Sequence, residues 1–104
     1  MSEKRATREA FGATLVELAD AGMDVVVVEA DLSKSTTTAT FEKAYPQRFF
    51  NAGIAEQNMI GTASGLAVGG KVAFTGSFAV FATGRAYDQV RNTVCYSGLD
   101  VKLC

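Results

Sequence analysis

The chain has no histidine and no tryptophan, a single proline and two cysteines. Without histidine it carries no Ser-His-Asp or Cys-His catalytic group and no histidine-ligated metal. Cys95 and Cys104 lack metal or redox spacing, so a reduced, cytoplasmic setting is the expectation. No apolar run approaches the roughly 18 residues of a membrane span, and none is expected. The N-terminal Glu3, Lys4, Arg5, Arg8 and Glu9 leave no room for a signal peptide's apolar centre. Neither sign of charge prevails. The formal net charge of -1 provides no basic field for nucleic acid.

What remains is an ordinary globular composition. With 48% hydrophobic and 20% charged residues, the 104 residues form one domain at most. The chain is organised around Phe49-Phe50-Asn51-Ala52-Gly53-Ile54-Ala55-Glu56-Gln57-Asn58-Met59. This is a short apolar run, a glycine hinge and the opening turn of a helix. Glu56 falls in that first turn, where the helix dipole and free N–H groups favour a carboxylate. The residues that follow are small, with Gly61 and Gly65 four apart on one face, so another backbone could approach closely there.

In chain order, Thr7 to Ala21 reads as a helix, with Phe11, Leu15, Leu18 and Ala19 at helical spacing and Gly22 as its stop. Asp24 to Ala30 contains four consecutive valines, a run without alternation that predicts a strand buried on both faces of a parallel sheet. Asp31 ends that strand, where ligands of open parallel sheets collect. The hydroxyl-rich loop Leu32 to Thr38 reads either as a polar capping loop or as a phosphate-binding one. A helical turn or two through Phe41–Ala44 ends near Tyr45, before Pro46.

A second strand is expected at Arg48–Asn51 and a helix from Ala55 to about Val68, stopped by Gly69-Gly70. A third strand is read over Lys71–Phe74, with Thr75-Gly76-Ser77 turning the chain. One helix is expected from about Ala79 to Cys95, showing a face of Ala86, Val90 and Val94. Val101–Cys104 opens a fourth strand, and a chain that stops there reads as a fragment. Strands alternating with helices argue for an α/β fold with a mainly parallel sheet and flanking helices.

Several motifs in order carry a resemblance: Ala6-Thr7-Arg8, Asp31 with Ser35, Gly53 to Met59, Ser77-Phe78-Ala79-Val80-Phe81, and Arg85 to Arg91. Together they resemble the pyrimidine-binding domain of transketolases, which use thiamine diphosphate. The resemblance implies that domain's fold, incomplete at the C-terminus, and ketol transfer between phosphorylated sugars. By motif position Glu56 is the catalytic glutamate that hydrogen-bonds N1′ of the cofactor's aminopyrimidine ring. Phe81, and next to it Phe78, form the aromatic wall against that ring. Arg8 and Ser35 fall to the phosphate tail of the sugar, while Asp31 has no defined role. As ordinary residues the same positions would be a dipole-compensating acid, two core aromatics and a solvated helix arginine.

The chain also departs from the family. Between Phe81 and Arg85 stand Ala82-Thr83-Gly84, one residue more than in many transketolases, which leaves the place of Arg85 open. No Gly-Asp-Gly motif for the diphosphate and its Mg2+ (or Ca2+) is present. The resemblance therefore implies a pyrophosphate-binding partner subunit or domain, as in a split transketolase, and a homodimer of such pairs. The isolated chain is expected to be inactive. Deoxyxylulose-phosphate synthase is the neighbouring alternative, though it typically has histidine where this chain has Asn58. A non-catalytic assembly module that kept the fold is another.

Overall fold

A computed structural model describes residues 4–104. Glu3, which entered the reading of the N-terminus, lies outside the described residues. Helix α1 spans Thr7–Asp20, and its inner face buries Leu15 and Ala19. It ends at Gly22, whose φ of 95° lets the Met23 N–H reach back to the Leu18 carbonyl.

Strand β1, Val25–Glu29, is buried at all five residues. Side chains alternate across a strand, so the valine run serves two cores at once. Val25 and Val27 pack with Leu15, Ala19, Phe41 and Phe49, whereas Val26 and Val28 pack with Met59, Ile60, Ala63 and Ala73. Helices α2 (Ser33–Thr36) and α3 (Ala39–Ala44) follow, then a 3₁₀ turn at Pro46–Arg48 and strand β2, Phe49–Asn51. Arg48 therefore belongs to the turn before β2 and lies over the Tyr45 ring.

Helix α4 runs from Glu56 to Val68 and β3 from Val72 to Gly76; β4, Val101–Leu103, completes a four-stranded sheet. The order is β2-β1-β3-β4, and every pair is parallel. Helices cover both faces, as the unbroken apolar strand requires. In this order the chain reverses its direction of travel between β1 and β3. A crevice opens outside the carboxyl ends of the strands at such a switch point.

Besides Arg48, and helix α2 inside the segment read as a loop, two elements differ from the sequence reading. Thr75 and Gly76 belong to β3, paired with Val28 and Glu29, so the strand is longer than expected and the turn begins at Ser77. Gly76 reads as a turn residue by type, yet it is glycine for space: a Cβ there would stand 1.9 Å from Glu29 Oε2. The expected single helix from Ala79 to Cys95 is instead two π-helical segments, Val80–Arg85 and Gln89–Tyr96, interrupted at Ala86. The Thr83 hydroxyl donates to the Ala79 carbonyl at 2.7 Å, a back-bond that bends helices.

Candidate active site

Glu56 opens helix α4 with its residue only 5% exposed, although no side chain caps the helix at Ala55. The turn that delivers it is held from β1. The Asp31 N–H donates to Asn51 Oδ1 at 3.1 Å, and the Gly53 N–H donates to the same oxygen at 2.9 Å. Gly53 takes a φ of 79°, so the chain can turn from β2 into the helix. Asp31 itself holds a φ of 62°, uncommon for a residue with a Cβ. Asp31 thus ties the end of β1 to the turn that presents Glu56.

The Glu56 carboxylate faces a hollow of about 450 Å³ lined by Ala55, Gln57, Asn58 and Arg85. Arg85 Nη1 lies 3.5 Å from Glu56 Oε1. The guanidinium also stands over the Phe81 ring, with Cζ 4.1 Å from the centroid. Gln57 Nε2 donates to the Arg85 carbonyl at 3.1 Å and holds the π-segment against α4. Phe81 stacks on Phe78 with centroids 5.9 Å apart and planes at 22°. The two rings therefore form a wall, with Phe78 about half exposed.

On the far side, Phe78 lines a second cleft of about 460 Å³ with Thr7, Arg8, Phe11, Ser35, Thr36, Ser77 and Cys104. That volume suits a small molecule. Arg8 and Ser35, 27 residues apart in sequence, share this cleft. Arg8 is fixed through its backbone, since the Thr37 hydroxyl bonds to its carbonyl. Thr37 holds a φ of 66°, strained for a β-branched residue. Its carbonyl lies so near Gly12 that a Cβ there would meet it at 2.5 Å, so only glycine lets α1 approach this loop.

The residue that sequence reasoning missed is Glu29. It is fully buried at the end of β1 and organises the Ser35 loop. Its Oε2 accepts from the Thr38 and Thr36 hydroxyls at 2.8 and 2.9 Å, and its Oε1 accepts from the Leu32 N–H at 3.2 Å. Burial pushes its carboxyl above the ordinary value, against the pull of these hydrogen bonds. The available signal was the pairing of an acid at a strand end with a hydroxyl-rich loop just after it.

Contacts thus run from Glu56 through Arg85 and Phe81 to Phe78, which shares the second cleft with Arg8 and Ser35. A buried carboxylate beside an aromatic wall fits a planar, nitrogen-bearing ring, and the planar guanidinium of Arg85 already makes both of those contacts. Among the described residues no cluster of acids and cysteines could hold a metal.

The all-parallel sheet with flanking helices makes this an α/β domain of the kind that collects ligands outside the carboxyl ends of its strands. The sequence matches the family described as transketolase, pyrimidine binding domain, over residues 3–104, and the chain belongs to that family. It is 55% identical over 96 residues to a putative transketolase C-terminal section from Methanocaldococcus jannaschii, covering 92% of this chain and 30% of that protein. It is 42% identical over 93 residues to a 1-deoxy-D-xylulose-5-phosphate synthase from Desulforudis audaxviator, covering 89% of this chain and 14% of that one. A solved structure described as a split gene transketolase, inactive beta4 tetramer, superposes with a TM-score of 0.86 at 55% identity. The match covers 97% of this chain and 34% of that one. The chain therefore spans about a third or less of the proteins it matches.

Proposed function

We propose that this domain is the pyrimidine-binding portion of a transketolase that moves a two-carbon ketol unit between phosphorylated sugars. The observation that carries this reading is the Arg85 guanidinium, hydrogen-bonded to Glu56 and stacked on Phe81. An aminopyrimidine needs the same pair of contacts. Bound thiamine diphosphate supplies the carbon nucleophile of the ketol transfer. Glu56 would hydrogen-bond N1′ of the ring and hold or move a proton there. Phe81 and Phe78 orient the ring and keep water from its face. Arg8 and Ser35 receive the sugar phosphate, for which a planar arginine fork is chemically suited.

The diphosphate and its Mg2+ or Ca2+ fall to a pyrophosphate-binding subunit, in a homodimer of such pairs in the cytoplasm. Similarity to a transketolase C-terminal section and to a split gene transketolase supports a two-subunit enzyme. Val80 and Tyr96 of the π-segments, and Tyr87 between the segments, are 67%, 85% and 66% exposed, apolar surface suited to a partner. On this reading the domain alone turns nothing over.

Similarity to a deoxyxylulose-phosphate synthase favours that activity as the second reading. Asn58, in place of the histidine typical there, weighs against it. A test is to titrate thiamine diphosphate into the full-length subunit, with and without a pyrophosphate-binding subunit, and then assay ketol transfer. Binding and transfer that need both subunits are expected. Tight binding or turnover by the one subunit would contradict the proposal. Binding without any transfer would favour a catalytically silent module.

A further inference from the structure

Ser77 follows β3 at the β1/β3 switch and is 6% exposed, yet its Oγ is buried without a hydrogen-bond partner. It lines the cleft that Arg8, Ser35 and Phe78 share. Buried hydroxyls are ordinarily paired, so an orphan facing a cleft calls for a physical account. Several polar groups of this region are engaged elsewhere. Thr36 and Thr38 serve Glu29, Thr75 Oγ1 donates to the Lys102 carbonyl, and the Ser77 N–H itself goes to the Cys104 carbonyl.

We infer that the Ser77 hydroxyl binds substrate, taking an oxygen on the carbon chain of an anionic sugar whose phosphate lies at Arg8 and Ser35. This rests on the phosphate reading above and adds a second contact to it. The chemistry of the cleft divides the ligand. The cation of Arg8 suits the anion, and the Phe11 and Phe78 rings suit an uncharged body. A neutral hydroxyl, donor and acceptor in one group, suits a sugar hydroxyl or carbonyl oxygen. Ser77 directly precedes Phe78, so it stands at the junction between the aromatic wall and the anion end. A substrate spanning the two passes over it.

The experiment uses the full-length subunit assembled with its pyrophosphate-binding partner, comparing Ser77→Ala with wild type. Two probes separate the subsites: inorganic phosphate, which offers only the anion, and a pentose 5-phosphate, which offers the anion and chain oxygens. Ser77→Ala should leave inorganic phosphate affinity unchanged and weaken the pentose phosphate about fivefold, as expected for one neutral hydrogen bond. Its melting temperature should hold or rise, because an unpaired buried hydroxyl has been removed. Ser77→Thr, which keeps the hydroxyl, should restore most of the lost affinity.

An unchanged pentose phosphate affinity, or equal weakening of both probes, would overturn the inference. So would a lower melting temperature or failure to assemble, since the hydroxyl would then be serving the fold. Arg8→Ala run alongside keeps the two claims apart. If inorganic phosphate binds that variant as well as wild type, the phosphate reading is what has failed.

Discussion

Arg85 lies 3.5 Å from Glu56 and 4.1 Å over Phe81, so one cation bridges the carboxylate and the aromatic wall. On the proposed reading the cofactor ring takes both of those contacts, and Arg85 would move aside for it. The Arg85 side chain is about half exposed, and its pairing is correspondingly weak, on the order of 0.2–1 kcal/mol. Arg85→Ala in the assembled enzyme should therefore bind thiamine diphosphate about two- to fivefold more tightly. The advantage should shrink as salt screens the wild-type pair. Weaker binding by the variant, measured by calorimetry, would mean that Arg85 stays and contacts the cofactor.

Arg8 offers a test of the anion end of the site. Arg8→Ala should raise KM for phosphorylated sugars while leaving unphosphorylated ones nearly unchanged. A charge-assisted contact of roughly 1.5–3 kcal/mol corresponds to a loss of about ten- to a hundredfold. Equal effects on both substrate types would return Arg8 to the ordinary role of a helix-surface arginine.

Glu29 links stability to pH. Its folded-state pKa is raised above the ordinary 4.5 by burial, so the folded state favours the protonated form. Its contribution is fully present below about 4.5 and is lost as pH rises through the raised value. Glu29→Gln should then be more stable than wild type at neutral pH, with the difference vanishing in acid. The Thr36 and Thr38 hydroxyls can reverse to accept from the amide, so the loop survives. Glu29→Ala strands the Leu32 N–H and the Thr38 hydroxyl and should destabilise at every pH, by about 1–3 kcal/mol. Urea melts across the pH range decide; a glutamine variant that is less stable at neutral pH would show that the ionised carboxylate is the favoured form.

Gly65 separates fold from assembly. A Cβ at Gly61 or Gly65 meets nothing within 4 Å, so among the described residues no backbone uses the Gly61/Gly65 face of α4. Met59, Ile60 and Ala63 of the same helix pack with Val26, Val28 and Ala73 of the sheet instead. Gly65→Leu should leave the subunit's own melting temperature unchanged or raised, and weaken assembly by the typical 1–3 kcal/mol of an overpacked contact. Normal assembly of the variant by sedimentation would show that this face is free surface.

The parts of the fold that the sequence discloses are those governed by local pattern. Val25–Val28 announces a strand buried on both sides, and Gly53 followed by Glu56 announces the start of α4. The π-segments are hidden because Ala86, Val90 and Val94 satisfy an α-helical spacing as well, and they pack in the core beside Met59, Ile60 and Ala63 of α4. Arg85 and Glu56 meet across 29 residues, a contact that no local pattern encodes. Gly76 is the reverse case. Its residue type suggests a turn, and only the buried Glu29 carboxylate beside it explains why a strand needs glycine there. Phe78 and Phe81 were readable as a pair, but their stacking, and the side of the wall on which each faces a cleft, required the fold.

On the proposed reading Glu56 serves the cofactor ring rather than the helix it opens. Glu56→Gln keeps a hydrogen-bonding group of the same shape but cannot exchange a proton with N1′. The direct measurement is hydrogen–deuterium exchange at C2 of thiamine diphosphate bound to the assembled enzyme, followed by NMR in heavy water. The variant is predicted to bind the cofactor within a few-fold of wild type and to lose most of the exchange, by about a hundredfold or more, the scale of a positioned proton-transfer group. Exchange at the wild-type rate in Glu56→Gln, with the cofactor bound, would contradict the account and leave Glu56 as a first-turn acid.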